Sequence, residues 1–520
     1  MQNLTSFLDN HALDPQACAL IWPARGVSFT YAEFMDRVRR LSSGFMDLDI
    51  RKGDRVCIYL DTSPEYLISY CALWRIGAVA VPANIVYRQG ELLHSLLDSG
   101  AKGIICSEAG REVVHSVRNS APALESVICT GGEHPGTVSW DGLIRGVPLK
   151  RPVPCAFDDI CQIQYTAGTT GRPKGAILTQ GNWIAALEAE REVLSLRKGD
   201  VYLGIYPMGH VGVSWGFAVL RAGGTYVIME RFSEEEYLRL CRDHEVTVLA
   251  GMPPVIHGLC HAPPGTEEAL KTVRVIISGG GQLLPAVWED FDRRYHIPIA
   301  NSYGLSETIV VGSGTATIPG MPDLTRDYRS VGVPIGYTEV SIVDAENPGI
   351  LLEAGEIGEI ALRGPSVAKG YWNLPGETAA TFLPDGWFLS GDMGYLEPDG
   401  VLFITDRKKD MIIMSGWKIY PTEVENVLLR HPAVADAAVF GIPDERRGEI
   451  PVAAVVLKEG RTLQDAELEA FCRDHMAGYK IPRRMIPVGT LPRVHGWKLL
   501  RRTLREEYAR RMAESEKAII

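Results

Sequence analysis

No two cysteines in the sequence have the Cys-x-x-Cys spacing, and no cysteine pair is combined with a nearby group of histidines at the spacing of a zinc site. The ten cysteines are scattered from Cys18 to Cys472. This distribution argues against a zinc-binding module and against a disulfide framework. We therefore expect free thiols, most of them buried.

The sequence also lacks long apolar runs and a leader peptide. Its most apolar stretch, residues 66–87, is interrupted by Arg75 and Pro82, so it falls short of the roughly 18 continuous apolar residues of a membrane span. Residues 1–5 have neither the cationic nor the apolar region of a signal peptide. These absences predict a cytoplasmic protein without a membrane span.

Positive charge is not in excess, because the formal net charge is −11, and this argues against nucleic acid as a partner. One basic stretch, residues 480–511, carries ten Lys and Arg against two acids, and most of them are expected on a solvated helical face. The hydrophobic content of 46% is typical of globular proteins, and 520 residues are too many for one core.

Alternating helix and strand patterns predict an α/β fold with a parallel sheet. Thr30 and Glu33 form a capping-box pattern at the start of a helix that should end near Asp47. The predicted strands are 55–60, 78–82, 103–106, 160–164, 200–204, 246–249 and 273–278, and further helices are predicted at 66–74 and 234–243.

Residues 165–175, Tyr-Thr-Ala-Gly-Thr-Thr-Gly-Arg-Pro-Lys-Gly, directly follow one of these strands and have the composition of a phosphate-binding loop. Glycines allow backbone N–H groups to point at an anion, the three threonine hydroxyls can donate to phosphate oxygens, and Lys174 adds a positive charge. The string is not a Walker loop, because Pro173 precedes the lysine and no Ser or Thr follows it.

The eleven-residue string resembles the signature of the AMP-forming adenylate enzymes, which include acyl- and aryl-CoA synthetases, peptide-synthetase adenylation domains and firefly luciferase. The resemblance extends from Thr30 to about Arg502 through five motifs in the expected order. It implies a large, multi-subdomain N-terminal α/β domain of residues 1–408 and a small, mobile α+β C-terminal domain of residues 409–520, with Lys409 at the hinge.

Two further motifs follow predicted strands. Gly279-Gly280-Gly281 would let a flat ligand lie against bare backbone, although a simple turn is the alternative. In residues 301–308, Asn-Ser-Tyr-Gly-Leu-Ser-Glu-Thr, Ser306 replaces the usual threonine of the family and Glu307 matches its magnesium ligand, with Thr166 as a second metal contact. Without the resemblance, Glu307 would be interpreted as a helix-start carboxylate.

The resemblance assigns ligands to the remaining residues. His210 matches a gate between the carboxylate and ATP sites, Asp392 and Arg407 match the ribose contacts, and Gly416 matches the glycine beside the pantetheine arm of CoA. For Asp392 a turn residue is the alternative. The implied nucleotide site comprises Thr166, Ala167, Gly168, Thr169, Thr170, Lys174, Gly279, Gly280, Gly281, Asn301, Ser302, Tyr303, Gly304, Ser306, Asp392, Arg407 and Lys498. The implied acyl site comprises His210, Val211, Trp215, Gly280, Gly281 and Tyr303, and the implied CoA site Ser415, Gly416 and Trp417.

Lys498 lies in Leu-Pro-Arg-Val-His-Gly-Trp-Lys, which resembles a C-terminal family string, and it is the candidate lysine for adenylation. Trp497 departs from the glycine that usually precedes this lysine, which would make the loop less flexible. The catalytic set predicted from the resemblance is Lys498, Glu307, His210, Thr166 and Lys174.

Together these motifs predict an ATP-dependent acid:CoA ligase that uses ATP, Mg²⁺ and CoA and forms an acyl-AMP intermediate. Glycines near the carboxylate site favour a medium-sized apolar acid, cyclic or aromatic. Four alternatives stay open: a carnitine- or crotonobetaine-type CoA ligase, a ligase that loads a carrier protein, a luciferase-like oxidase, and a silent nucleotide- or acyl-binding protein. The expected partners are the small-molecule substrates, and a homodimer is left open.

Overall fold

The computed structural model describes residues 3–9, 13–166, 173–315, 328–444, 446–494 and 498–517. The chain forms two compact units, the first of residues 1–340 and 362–389 and the second of residues 341–361 and 390–520. A large N-terminal α/β part and a smaller C-terminal α+β domain confirm the predicted fold class. The domain boundary after residue 408 concerns which residues move together, and it stays a prediction.

The described elements up to residue 315 alternate between strands and helices. They are β1 (Cys18–Trp22), β2 (Val27–Thr30), α1 (Tyr31–Asp47), β3 (Arg55–Tyr59), α2 (Pro64–Ile76), β4 (Val79–Pro82), α3 (Gln89–Ser99), β5 (Gly103–Cys106), α4 (Arg111–Arg118), β6 (Ser126–Cys129), β7 (Val138–Ser139), α5 (Trp140–Leu143), β8 (Ile160–Thr166), β9 (Lys174–Thr179), α6 (Gln180–Val193), β10 (Val201–Gly204), α7 (Ser214–Arg221), β11 (Thr225–Ile228), α8 (Glu234–Asp243), β12 (Val248–Ala250), α9 (Pro253–His261), α10 (Thr266–Ala269), β13 (Val275–Ser278), α11 (Pro285–Tyr295), β14 (Ile299–Tyr303) and β15 (Ser313–Gly314).

The remaining described elements are dominated by strands. They are β16 (Val333–Pro334), β17 (Glu339–Val343), β18 (Gly358–Arg363), α12 (Pro375–Thr381), β19 (Phe388–Leu396), β20 (Leu402–Arg407), β21 (Ile412–Met414), β22 (Trp417–Ile419), α13 (Pro421–Leu428), β23 (Val434–Asp444), β24 (Gly448–Leu457), α14 (Asp465–His475), β25 (Arg484–Pro487), β26 (Arg493–Val494), β27 (Lys498–Leu499) and α15 (Arg501–Lys517). Short 3-10 turns occur at Leu4–Asp9, Pro23–Arg25, Val211–Val213 and Ser306–Thr308.

Within the described residues, the first unit contains two large sheets. The strand order is β7-β6-β5-β3-β4-β8-β9 in one and β16-β15-β14-β13-β12-β10-β11-β1-β2 in the other. The strands predicted as parallel are parallel: β3 pairs with β4 and β5, and β10 to β14 run side by side in parallel. The ladder from β8 to β9 is antiparallel, and it brings both ends of the predicted phosphate loop together.

The main core of the first unit lies between these two sheets. Alternate residues of β3 contribute to different cores, because side chains of a strand alternate between faces: Val56 and Ile58 belong to the main core, and Cys57 and Tyr59 to a second one. The same main core contains Tyr202 and Tyr226 from the other sheet. The ten cysteines are free and most are buried, as predicted.

The second unit contains most of the sheet β17-β18-β19-β20 and the sheet β22-β21-β24-β23, to which β25 adds beside β24. One local expectation is wrong here. Thr422 and Glu425 have the spacing of a capping box, which predicts a helix from Thr422, but α13 begins at Pro421 and has no side-chain cap. Glu425 instead accepts a hydrogen bond from the Val439 N–H at 2.7 Å and pairs with Arg501.

Candidate functional site

Thr166 and Lys174 face each other across the end of the β8–β9 ladder. The Thr166 hydroxyl donates to the Lys174 carbonyl oxygen over 3.4 Å. Ala167, Gly168, Thr169 and Thr170, which complete the predicted phosphate loop, lie outside the described residues. The ladder therefore fixes where the loop begins and ends.

The Lys174 ammonium is largely enclosed, since its side chain is 13% exposed. It forms an ion pair with the Glu377 carboxylate and lies 5.2 Å from the centre of the Tyr371 ring. An ammonium over an aromatic face is attracted by the electron-rich ring. Lys174 is thus held at the loop's end by one carboxylate and one aromatic ring.

Glu307 lies in a 3-10 turn, Ser306–Thr308, and not at the start of an α-helix. Its side chain is enclosed, with 8% of the residue exposed, and the Tyr371 hydroxyl donates to Glu307 Oε1 over 2.9 Å. Burial, and next the charge of Glu307, raise the pKa of Tyr371, so the phenol keeps its proton and remains a donor. A buried carboxylate beside a phosphate loop has the chemistry of a metal ligand.

The described residues contain no group of three or more His, Cys, Asp or Glu side chains that could hold a metal ion by themselves. Mg²⁺ commonly binds through one or two carboxylates, with phosphates and waters as the other ligands. Glu307, with Thr166 and Lys174 on the loop side, fits that kind of site and does not fit an all-protein cage.

The loops after β13 and β14 lie side by side, because the two strands are parallel and pair Ser278 with Asn301. Ser302 Oγ donates to the Ser278 carbonyl oxygen over 3.1 Å. A Cβ on Gly279 would lie 2.8 Å from that hydroxyl oxygen, so this close approach requires glycine. Gly280 has a left-handed backbone, with φ of 78°. Two of the sequence motifs therefore meet at the carboxyl edge of one sheet, and their contact with a ligand stays a prediction.

Other members of residues 301–308 have structural partners. The Asn301 side-chain amide donates to the Ser330 carbonyl oxygen over 3.1 Å and is buried. Tyr303 is also buried, whereas Ser306 is half-buried. Contact with a nucleotide stays a prediction for all three.

His210 lies in the loop between β10 and α7, and its Nε2 is 3.3 Å from the side-chain amide of Asn84. Asn84 follows β4, so residues of both large sheets meet at this ring. Val211 and Trp215, predicted to contact the acyl group, are both part of the main core. Their packing gives them a structural role, and their contact with an acid stays a prediction.

Several glycines that were expected to leave volume for the acid are filled by neighbours. A Cβ would lie 3.2 Å from the Ala83 carbonyl oxygen at Gly209, 3.3 Å from Tyr206 at Gly212, and 2.2 Å from the Val310 backbone at Gly304. These glycines therefore allow close packing, and they do not by themselves open a pocket.

In the second unit, Asp392 and Arg407 face each other across the β19–β20 ladder. Arg407 Nε lies 2.9 Å from Asp392 Oδ1, and Asp392 is 4% exposed. Asp392 is therefore a strand residue and not a turn residue. Glu359 supports this edge, because it accepts from the Gly391 N–H over 3.0 Å and pairs with Lys408 at 2.6 Å.

Lys409, the predicted hinge residue, follows β20 directly. Burial lowers the pKa of its ammonium, although Asp410 acts in the opposite direction. Asp406 on the other side is buried and accepts from the Thr422 N–H at 2.7 Å. A buried, hydrogen-bonded carboxylate, that of Asp406, therefore precedes Lys409, and the hinge role of Lys409 stays a prediction.

Ser415 and Gly416 form the two-residue turn between β21 and β22, with φ of 51° and 84°. Two left-handed residues in succession are typical of a type I′ turn, which favours glycine. Trp417 is 58% exposed, and its ring stacks on Tyr479 at a centroid distance of 4.7 Å. The turn explains Gly416 structurally, and a contact with CoA stays a prediction.

Lys498 begins β27, which pairs with Arg493–Val494 in a small hairpin. The intervening residues, with Trp497, lie outside the described residues. The catalytic role of Lys498 stays a prediction.

Tyr371, Glu377, Asn84 and Glu359 were missed by the sequence analysis. Tyr371 is 64 residues from Glu307, and Glu377 is 203 residues from Lys174. A single sequence contains no signal for such pairs.

In the described residues, no helix is long and apolar enough to cross a membrane.

Comparisons with known proteins identify the family of this chain. A family model described as AMP-binding enzyme matches residues 7–372, and one described as AMP-binding enzyme C-terminal domain matches residues 423–496. The feruloyl-CoA synthase of an Amycolatopsis species is 34% identical over 495 residues, which cover 93% of this chain and 94% of that protein. A long-chain-fatty-acid–CoA ligase of Mycobacterium tuberculosis is 31% identical over 520 residues, covering 98% and 99%.

Among solved structures, the o-succinylbenzoate-CoA synthetase of Bacillus subtilis, in complex with its acyl-adenylate intermediate, has 30% identity and a TM-score of 0.83. The match covers 97% of this chain and 98% of that chain. Relatives that act on aromatic and on aliphatic acids thus match over nearly their whole lengths.

Proposed function

This chain belongs to the family of AMP-binding enzymes and is an AMP-forming acyl-CoA synthetase, and we propose that it activates a medium-sized apolar acid, cyclic or aromatic. One contact carries this choice. The Tyr206 side chain lies so close to Gly212 in the His210 loop that a Cβ on Gly212 would be 3.3 Å from it, and the Tyr206 hydroxyl donates to the Ile277 carbonyl oxygen of β13 over 3.3 Å. An aromatic ring therefore connects the two loops to which acyl binding is assigned.

The similarity to the feruloyl-CoA synthase supports an aromatic acid, since ferulic acid carries an aromatic ring. The fatty-acid ligase among the relatives supports an aliphatic chain instead. The position of Tyr206 favours an aromatic acid. Offset or edge-to-face contact between the Tyr206 ring and a substrate ring would stabilise the bound acid, and an alkyl chain cannot make that contact.

In the first half-reaction, a carboxylate oxygen of the acid attacks the α-phosphorus of ATP and the bond to pyrophosphate breaks. Thr166 and Lys174 bind phosphate oxygens, and Glu307 would hold Mg²⁺, which would neutralise phosphate charge. His210 positions the carboxylate and does not act as a base, because the acid arrives ionised. Asp392 and Arg407 hold the ribose.

In the second half-reaction, the CoA sulfur attacks the acyl carbon, the bond to AMP breaks, and the thiol proton is lost to solvent. Residues Ser415, Gly416 and Trp417 lie along the path of CoA, and Lys498 acts in the first half-reaction. Rotation of the C-terminal domain about Lys409 exchanges these two sets of groups, because one site has to serve two reactions.

Pyrophosphate release with ATP and Mg²⁺ tests this proposal across acetate, hexanoate, octanoate, cyclohexanecarboxylate, benzoate, ferulate and crotonobetaine, with and without CoA. We expect release with the cyclic and aromatic acids, and acyl-CoA only when CoA is present. Release confined to hexanoate and octanoate would overturn the substrate class, and release with crotonobetaine alone would favour the betaine ligase. Adenylate that reacts with a carrier protein but not with CoA would overturn the acceptor.

A further inference from the structure

Four side chains of the first unit form one cluster at the end of the phosphate loop: Lys174, Glu307, Tyr371 and Glu377. They come from three segments: the start of β9, the Ser306–Thr308 turn, and the stretch from Tyr371 into the first turn of α12, which contains Glu377. The segment with Tyr371 runs alongside β9, because Lys369 N–H donates to the Ile177 carbonyl oxygen over 3.0 Å and Trp372 N–H donates to that of Gly175 over 2.7 Å. The backbone of Tyr371 is therefore fixed relative to the loop.

Tyr371 contacts both charges of the cluster. Its hydroxyl donates to Glu307 Oε1 over 2.9 Å, and its ring faces the Lys174 ammonium at 5.2 Å. Phe382 packs edge-to-face against the Tyr371 ring at a centroid distance of 5.3 Å. A hydrogen bond from a well-packed donor orients a carboxylate, and such partners of metal ligands affect metal affinity strongly.

Glu377 is placed differently from Lys174, although the two form an ion pair. Its side chain is 41% exposed, whereas that of Lys174 is 13% exposed. The ammonium is thus held by the protein, and its counter-ion lies at the solvent edge. Phosphate oxygens that bind Lys174 compete with this carboxylate for the same ammonium, and the negative charge of Glu377 also repels them.

We propose that Tyr371 and Glu377 are positioning residues of the nucleotide site: Tyr371 orients Glu307 toward the metal of the nucleotide, and Glu377 holds Lys174 in place until phosphate replaces it. This inference rests on the proposed function, since it takes Glu307 as the metal ligand and Lys174 as a phosphate ligand. It adds that one segment, residues 369–377, positions the side chains of both Glu307 and Lys174.

Metal binding tests the role of Tyr371 without any turnover. Mn²⁺ replaces Mg²⁺ as a paramagnetic probe, and its affinity is measured by electron paramagnetic resonance in the presence of α,β-methylene-ATP, a non-reactive analogue. We expect Tyr371→Phe to weaken Mn²⁺ binding about tenfold, since loss of a partner of a metal ligand typically has that effect. Phe382→Leu is the control, because it disturbs packing on the same ring but keeps the hydroxyl.

Thermal unfolding of both variants separates a folding defect from a metal defect. Unchanged Mn²⁺ affinity in Tyr371→Phe, or an equal loss in Phe382→Leu, would overturn the role of the hydroxyl. If the wild-type protein binds no Mn²⁺ with the analogue, the metal role of Glu307 and this inference both fail. If binding behaves as expected but no acid releases pyrophosphate, the inference stands and the proposed function fails.

Analogue binding tests the role of Glu377. We expect Glu377→Gln to bind α,β-methylene-ATP about 2- to 5-fold more tightly at low salt, the size of effect expected from an exposed ion pair. The gain should shrink at high salt, because screening weakens the competition. Glu339→Gln, which removes an exposed partner of Arg363, is the control for the change in net charge. Weaker or unchanged binding in Glu377→Gln would show that its carboxylate does not compete with phosphate.

Discussion

Gly304 is a residue whose identity depends on a neighbour in space. A Cβ at this position would lie 2.2 Å from the Val310 carbonyl carbon. Val310 and Ile309 have left-handed backbones, with φ of 55° and 50°, which is rare for β-branched residues. Such strain persists where the surrounding structure imposes it, and here it begins two residues after Glu307.

We expect Gly304→Ala to lower the free energy of unfolding by about 3 kcal/mol or more, because overpacking against backbone cannot relax as a side chain would. Thermal or urea unfolding measures the loss. Gly90→Ala is the matched control, since Gly90 lies in α3 with open space around its Cβ position, and alanine there should stabilise the helix slightly. Equal behaviour of the two variants would contradict the close approach.

Glu190 is a second residue whose behaviour follows from its surroundings. It lies in α6 and is fully buried; Ser214 donates to its Oε1, and no described residue bonds its Oε2. Burial raises the pKa of this carboxyl well above its usual range, although the Ser214 hydrogen bond acts to lower it. The folded protein therefore favours the protonated form.

A raised folded-state pKa stabilises the protein at low pH, and this contribution is lost as pH rises from the usual carboxyl range through the folded-state pKa. Glu190→Gln stays neutral, so the melting temperature of the variant minus that of the wild type should increase from pH 5 to pH 9. Glu188→Gln in the same helix should show no such increase over this pH range, because the hydrogen bond from Arg191 lowers the pKa of Glu188, and the contribution of that carboxylate is lost only as pH falls below the usual carboxyl range. A pH-independent difference for Glu190→Gln would refute the buried proton.

At the scale of elements, the seven strands and three helices that local patterns predicted in the first unit are present, and many further elements of that unit were not predicted. The helix expected from the Thr30 capping box spans Tyr31–Asp47, with the reciprocal hydrogen bonds present. The same kind of pattern failed at Glu425, because burial against Arg501 offered that carboxylate a stronger partner than a helix N-terminus. Local signals succeed where no distant charge competes for the side chain.

The β21–β22 hairpin allows the CoA assignment to be tested apart from folding. We expect Gly416→Val to cost about 1–2 kcal/mol, because a β-branched residue has to adopt a left-handed backbone, and to slow thiolation more than adenylation. The two half-reactions are measured separately, as pyrophosphate release and as conversion of supplied acyl-AMP.

Gly460→Val supplies the control for this variant. Gly460 also has a left-handed backbone, with φ of 70°, and open space around its Cβ position. It should therefore lose similar stability without an effect on thiolation. If both variants slow thiolation alike, Gly416 acts only through folding.

At the scale of the whole molecule, the proposed reaction divides its two steps between groups of the C-terminal domain. We expect Lys498→Ala to reduce acyl-AMP formation at least about 100-fold, because removal of one positioned charge from a transition state has effects of this size. Conversion of supplied acyl-AMP and CoA to acyl-CoA should change little. Lys458→Ala, an exposed lysine of the same domain, controls for the loss of charge. Equal loss in both half-reactions would remove Lys498 from the adenylation step alone.

The sequence by itself determined what is local and periodic: the α/β alternation, the phosphate loop between two strands, and the family. The tertiary structure alone decided which groups meet. It brought the Tyr371 hydroxyl to Glu307 and the Glu377 carboxylate to Lys174. It also placed neighbouring atoms close to several glycines, where the sequence had suggested open space. The physical reason is that periodicity reports on backbone and burial within one element, whereas hydrogen bonds and ion pairs depend on chain segments that folding brings together.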